Sequence, residues 1–151
     1  MHGELVKVYR ISAITFKVRD MAKSCSFYSR LPGFKLVYGG VNAQFTTFEI
    51  TPEPRMSINL ESSGNTPDKG SKSRTDFGRI IFHATDVDDL YRFMENDKTI
   101  LDLANLEGRP SDAPWGERFF HIRDPDGYQL SFAQPIISEA KKQASIKDDQ
   151  D

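Results

Sequence analysis

The chain is short of cysteine, of long apolar runs and of any excess charge of one sign. Its one cysteine, Cys25, excludes an intramolecular disulfide framework and any cysteine-rich zinc site. Twenty basic residues against 22 acidic ones give a net charge of −2, without the basic stripe of a dedicated nucleic-acid binder. No apolar stretch approaches the roughly 20 residues that a membrane span needs. The opening residues, MHGELVKVYR, lack the apolar segment of a secretory signal. These absences predict a cytoplasmic protein with neither nucleic acid nor membrane as partner. What is present suffices for a core: 38% hydrophobic and 11% aromatic residues in a chain of 151, one ordinary domain or two small modules.

Three stretches read as punctuation. Residues 62–76 (SSGNTPDKGSKSRTD) contain no large apolar residue and read as a linker. Residues 107–116 (EGRPSDAPWG) read as a second loop, and residues 138–151 as a polar tail that offers nothing to a core. The segments between them repeat. At an offset of 66, Ile14 matches Ile80, Phe16 matches Phe82, Asp20 matches Asp86 and Phe27 matches Phe93. Both copies alternate apolar and polar residues up to the Asp, the period of a half-buried strand, and then change to helical spacing. The spacing runs through Met21, Cys25 and Tyr28 in one copy, and through Val87, Leu90, Phe93 and Met94 in the other. An Asp at that junction suits a helix N-cap. Further strands are predicted at 35–38, 45–50 and 56–61, then at 101–106, 118–123 and 128–133, with turns at Gly39-Gly40 and Asp124-Pro-Asp-Gly127. The expected fold is α+β: tandem βαβββ modules over residues 8–61 and 77–135, forming a curved mixed sheet around a cup.

Alternation assigns faces. Ile14, Phe16, Val18, Ile80 and Phe82 should pack under the helices, as should Phe120 and Ile122. The opposite face then carries Ala13, Thr15, Lys17, Ser57, Asn59 and Glu61 in one module. In the other it carries Arg79, Ile81, His83, Phe119, His121, Arg123, Gln129, Ser131 and Ala133. Cations, imidazoles, a carboxylate and small neutral groups on one concave face suit a small-molecule site.

The runs Val18-Arg-Asp20, Phe27-Tyr28 and Leu31-Pro-Gly-Phe34, with the closing Trp115-Gly116 and Asp124-Pro-Asp-Gly-Tyr-Gln-Leu130, resemble the opening and ending of a vicinal oxygen chelate domain. That is the glyoxalase, bleomycin-resistance and extradiol dioxygenase family. One departure is Pro32, which interrupts the family's usual Leu-Gly-Phe. The resemblance implies the cup, a homodimer and, in the family's metalloenzymes, a divalent ion held by His, Gln or Glu side chains of the opening and closing strands. Carried onto this sequence, the four ligand positions fall on Ala13, Asn59, Arg79 and Ser131. Alanine offers no donor, arginine is a permanent cation, and asparagine and serine are weak neutral ligands. The expectation is therefore a cup without the usual metal ligands and without a cofactor.

The function expected first is capture of a small, possibly anionic organic molecule. Lys17, Asn59, Glu61, Arg79, His83, Trp115, Phe119, His121 and Ser131 are the candidate binding residues. Arg79 either binds an oxyanion bidentately or pairs with Glu61 across the cup. Lys17 either binds an anion or is an ordinary strand lysine. Trp115 either closes over a flat ligand or anchors its loop. The alternative function is a glyoxalase-like lyase or isomerase that moves a proton through His83 or Glu61, because an imidazole exchanges protons near neutral pH. A displaced metal on His83, His121 and Glu61 is the remaining possibility.

Overall fold

In a computed structural model of the chain, the described residues are 6, 10–64 and 79–136. The linker between 65 and 76 and the tail at 138–151 lie outside them. The chain divides into two compact units, Met1–Lys69 and Gly70–Asp151. No helix among the described residues is long and apolar enough to cross a membrane.

The first unit runs β1 (Ala13–Val18), α1 (Met21–Tyr28), β2 (Lys35–Tyr38), β3 (Phe45–Pro52) and β4 (Arg55–Ser62). Its four-stranded sheet has the order β1-β4-β3-β2, with β1 parallel to β4 and the other pairs antiparallel. Asp20 caps α1 as its position suggests: its backbone is extended and its carboxylate accepts the Lys23 N–H at 3.0 Å. That cap turns Phe27 and Tyr28 onto the sheet, where both are fully buried with Phe48, Leu60 and Val18. Tyr28 is the centre of the cluster, edge-on to Phe27 at 5.0 Å and about 6 Å from Phe16, Phe34 and Phe48. Each fully buried aromatic contributes roughly 1.5–3 kcal/mol, so one capped helix of eight residues suffices to hold this sheet.

The second unit runs β5 (Arg79–His83), α2 (Val87–Glu95), α3 (Lys98–Leu103), β6 (Asn105–Asp112), β7 (Glu117–Arg123) and β8 (Gln129–Pro135). Its sheet repeats the order of the first, β5-β8-β7-β6, with β5 parallel to β8. Asp86 caps α2 through the Asp89 N–H at 3.0 Å, the counterpart of Asp20. Val87, Met94, Ile100, Phe120, Ile122 and Leu130 are fully buried or nearly so. Phe120 and Phe132 pack at 5.5 Å, Phe82 and Phe132 at 5.4 Å.

The expected strand at 101–106 is corrected. Asp97 accepts the Ile100 N–H at 3.0 Å and starts α3, which buries Ile100 completely. A second cap thus overrides the β-branched run Thr99-Ile100, and the strand begins only at Asn105. The expected loop at 107–116 is corrected as well, because β6 continues through it to Asp112. Gly108 (φ 86°) sits where the β6–β7 register shifts between Glu107 and Ser111. β6 lies at the edge of its sheet, where a bulge and Pro110 remove no ladder bond that the sheet requires. Phe93 is 44% exposed although it matches the fully buried Phe27 in the repeat. The buried stripe of α2 runs from Val87 to Met94, two helical turns apart, and Phe93 lies about 100° off it.

Candidate functional site

Each sheet has one face against its helices and one face free of them. In the first unit the central polar side chains of the helix-free face pair with one another. Thr15, Asn59 and Thr47 stand side by side on β1, β4 and β3. Asn59 accepts from the Thr47 hydroxyl at 2.8 Å, and its amide donates to the Thr15 hydroxyl at 3.2 Å. Lys17 and Glu61, also neighbours across the β1–β4 pair, form an ion pair at 3.0 Å. Glu61 thus has a cation within its own unit, and Lys17 has an anion beside it.

In the second unit the helix-free face has three rows. Arg79, Gln129, Arg123 and Asn105 form the first; Ile81, Ser131, His121 and Glu107 the second; His83, Ala133, Phe119 and Ser111 the third. Strand alternation brings these side chains to one face because their neighbours Phe120, Ile122, Leu130 and Phe132 are buried on the other. Ser131 and Ala133 are small and buried, so the middle of β8 is low between Ile81 and His83 on one side and Phe119 and His121 on the other.

The first two rows are polar and cationic. Glu107 accepts from the Arg123 guanidinium at 2.9 Å and from the Gln129 amide at 3.0 Å. Arg123 also donates to the Gly127 carbonyl at 3.1 Å, which ties it to the Asp124–Gly127 turn. That turn is built by Asp124, whose carboxylate accepts the N–H groups of Asp126 and Tyr128, both at 2.9 Å. No hydrogen bond or ion pair engages the Arg79 guanidinium among the described residues. His121 Nδ1 is buried and has no hydrogen-bond partner among them either. Burial pushes the His121 imidazolium below its ordinary range near 6.5; the Arg79 and Arg123 charges push the same way, and Glu107 opposes them. The His121 imidazole is thus biased toward its neutral form, with two guanidinium groups and one carboxylate in its surroundings.

The third row is aromatic. Trp115 stacks on Phe119 with centroids 6.0 Å apart and planes 24° apart, and Phe119 meets His121 at 5.0 Å. The Trp115 indole N–H donates to Glu117 at 3.1 Å, and the other oxygen of Glu117 lies 3.1 Å from His83 Nε2. Glu117 thus fixes both an aromatic ring and an imidazole.

Of the residues expected at a site, Arg79, His83, Trp115, Phe119, His121 and Ser131 share one face of the second unit. Lys17, Asn59 and Glu61 share the corresponding face of the first. The four positions given by the resemblance do not form two opposed pairs: Ala13 stands opposite Ser57 and Arg79 opposite Gln129, while Asn59 and Ser131 are two residues further along. Their chemistry does not fit a divalent cation. Alanine cannot ligate, Asn59 spends its amide on two threonines, and Arg79 would repel the ion. No group of three or more His, Cys, Asp or Glu suited to a metal occurs among the described residues. Of the displaced triad, His83 and His121 share the second unit's face and Glu61 belongs to the first unit.

Three residues of this face escaped the list of candidates. Glu107 was hidden by the glycine and prolines around it, which read as a loop. Glu117 precedes the apolar alternation that marks β7. Arg123 lay on the expected face, and only its contact with Glu107 gives it a role.

Two βαβββ units of the same sheet order, the second with one added helix, define a duplicated α+β protein with a chemically mixed helix-free face. Residues 10–132 match the model of the Glyoxalase/Bleomycin resistance protein/Dioxygenase superfamily, and the chain belongs to that superfamily. No curated protein sequence matches it closely. Among solved structures it is similar to a glyoxalase-related enzyme from Fulvimarina pelagi, with a TM-score of 0.64 and 16% identity over 83% of this chain and 88% of that one. A glyoxalase/bleomycin resistance protein/dioxygenase family enzyme from Burkholderia phytofirmans PsJN gives a TM-score of 0.63 and 16% identity, covering 83% and 98%. A superfamily member from Sphaerobacter thermophilus DSM 20745 gives 0.58 and 23%, covering 83% and 97%. At these identities the likeness is one of fold.

Proposed function

We propose that the protein binds a small anionic organic molecule on the helix-free face of its second unit, without a metal ion. The observation that carries this reading is Arg79, a guanidinium with no hydrogen bond or ion pair among the described residues, on the same face as His121, whose buried Nδ1 has no partner among them either. A guanidinium presents two parallel N–H groups to a carboxylate or phosphate. An imidazole biased toward its neutral form adds no third positive charge beside Arg79 and Arg123. Glu107 holds Arg123 in place, so the second cation is oriented before the ligand arrives.

Calorimetric titration with simple carboxylates and inorganic phosphate tests this. Binding that weakens as salt rises, and that falls about tenfold in Arg79→Ala, is expected for a charge-assisted contact. Binding unchanged by that substitution overturns the reading. Metal content, measured by native mass spectrometry after incubation with nickel, zinc, iron and manganese, is expected to stay well below one ion per chain. One ion per chain, lost on substitution of His83, Glu61 or His121, would refute metal independence.

A second reading rests on His83. Its imidazole is held by Glu117, the arrangement that orients a general base, and it supports a lyase or isomerase acting by proton transfer. Loss of turnover in both His83→Gln and Glu117→Gln, with ligand binding retained, would favour this reading over simple capture. We also read residues 8–61 and 77–135 as the two modules and the assembly as a cytoplasmic homodimer. Leu36, Val37 and Tyr38 on edge strand β2 are all exposed, a surface that suits a second copy. Light scattering at twice the chain mass is the expected result.

A further inference from the structure

The aromatic row has no part in binding a bare anion, yet it is built with care. Trp115 is 64% exposed and still fixed in orientation, by its stack on Phe119 and by its N–H bond to Glu117. Free exposed side chains lose entropy when ordered, so a large aromatic ring held in the open is a preformed contact surface. Ile81, 55% exposed on the same face, adds apolar area in His121's row. Phe119 of this row meets His121 of the next, which feels the charge of Arg79.

The face is therefore apolar and flat at one end and cationic at the other. Arg79 and His83 are four residues apart on β5, about 13 Å at ~3.3 Å per residue. A span of that order accommodates one ring with a short arm ending in an oxyanion.

We infer that the ligand is an aromatic acid, with its ring stacked on the Trp115–Phe119 platform and its carboxylate on Arg79. The inference rests on the anion-binding reading above and names the class of ligand for that same face. The ring would join an existing stack, and the charge would meet the Arg79 guanidinium, which has no hydrogen bond or ion pair among the described residues.

Trp115 is the sole tryptophan, so its emission reports directly on the platform. Three probes of nearly equal size separate the two components: 3-phenylpropionate, 3-cyclohexylpropionate and 3-phenylpropanamide. We expect 3-phenylpropionate to alter Trp115 emission and to bind about fivefold more tightly than the cyclohexyl acid, the range of one aromatic stack. The amide should bind at least tenfold more weakly than the acid, as expected for loss of a charge-assisted contact. Phe119→Leu should remove the preference for the aromatic acid and leave binding of the cyclohexyl acid intact. Trp115→Leu, followed calorimetrically, checks the same preference at a loop residue outside the core. Equal binding of the two acids overturns the aromatic inference and leaves the anion reading standing. Equal binding of acid and amide overturns the assignment of an acid. Failure of both acids to bind overturns the inference and the reading together.

Discussion

Replacing Glu107 by glutamine removes one negative charge beside the cationic end of the face and keeps an oxygen to accept from Arg123 and Gln129. Glu107 stands directly across from His121 on the neighbouring strand, so a ligand oxyanion near His121 would meet its carboxylate at roughly 6 Å, about one cross-strand spacing. Two like charges at that distance repel by roughly 0.7 kcal/mol in bulk water and by about twice that where the effective dielectric is halved. Glu107→Gln should therefore bind 3-phenylpropionate about three- to tenfold more tightly, by calorimetry at low salt, with the gain shrinking as salt rises. The same substitution removes the one influence that raises the His121 pKa, so an NMR titration should find that pKa lower than in the parent protein. The partly exposed Glu107–Arg123 pair costs little when lost, about 1 kcal/mol of stability at most. A fall in affinity, or a gain indifferent to salt, would refute the placement of the carboxylate at this end of the face.

Gly39→Ala should be severe. Gly39 has φ +78°, and an added Cβ would lie 2.2 Å from the Phe45 carbonyl oxygen and 2.9 Å from the Thr46 Cα. Left-handed strain and overpacking together come to roughly 3 kcal/mol or more in urea unfolding, and a loss under about 1 kcal/mol would contradict the turn described. Asp97→Ala removes the cap of α3 and should cost about 1 kcal/mol, with faster amide exchange at Ile100. His121 gives an acid-side stability loss. Its folded pKa is depressed, so the unfolded chain binds the proton more readily, and stability falls as pH drops below about 6.5 until the native imidazole is protonated too. His121→Gln should flatten that limb of the curve, and an unchanged slope would remove His121 from the account.

The repeat was legible because both copies use the same local devices. An alternating strand ends at an Asp, the Asp caps a helix, and the apolar residues change period at that point. Asp20 and Asp86 behave alike in the structure for this reason. Where the copies diverge, the sequence misled. Asp97 is a third cap, but it follows a helix closely and precedes Thr99-Ile100, residues that favour strands, so α3 was read as β6. β6 itself carries Gly108, Pro110 and Asp112, loop residues by composition, which an edge strand with a bulge tolerates.

The site was legible as a face and not as a set of pairings. Alternation brought Arg79, His83, Phe119 and His121 together correctly, since it follows from the pleat alone. It could not show that Asn59 is consumed by Thr15 and Thr47, or that Lys17 is matched by Glu61, because those contacts depend on register between strands. Nor could it show Glu117 joining His83 to Trp115. Register decides which polar groups are already satisfied, and only the unsatisfied ones invite a ligand. By that criterion the first unit's face closes on itself, while the second leaves a guanidinium and a buried ring nitrogen without partners among the described residues. A face that puts a fixed cation where the resemblance puts a chelating side chain has the opposite electrostatic preference. Under the proposed function such a face disfavours a metal ion, and the incoming molecule brings the negative charge itself.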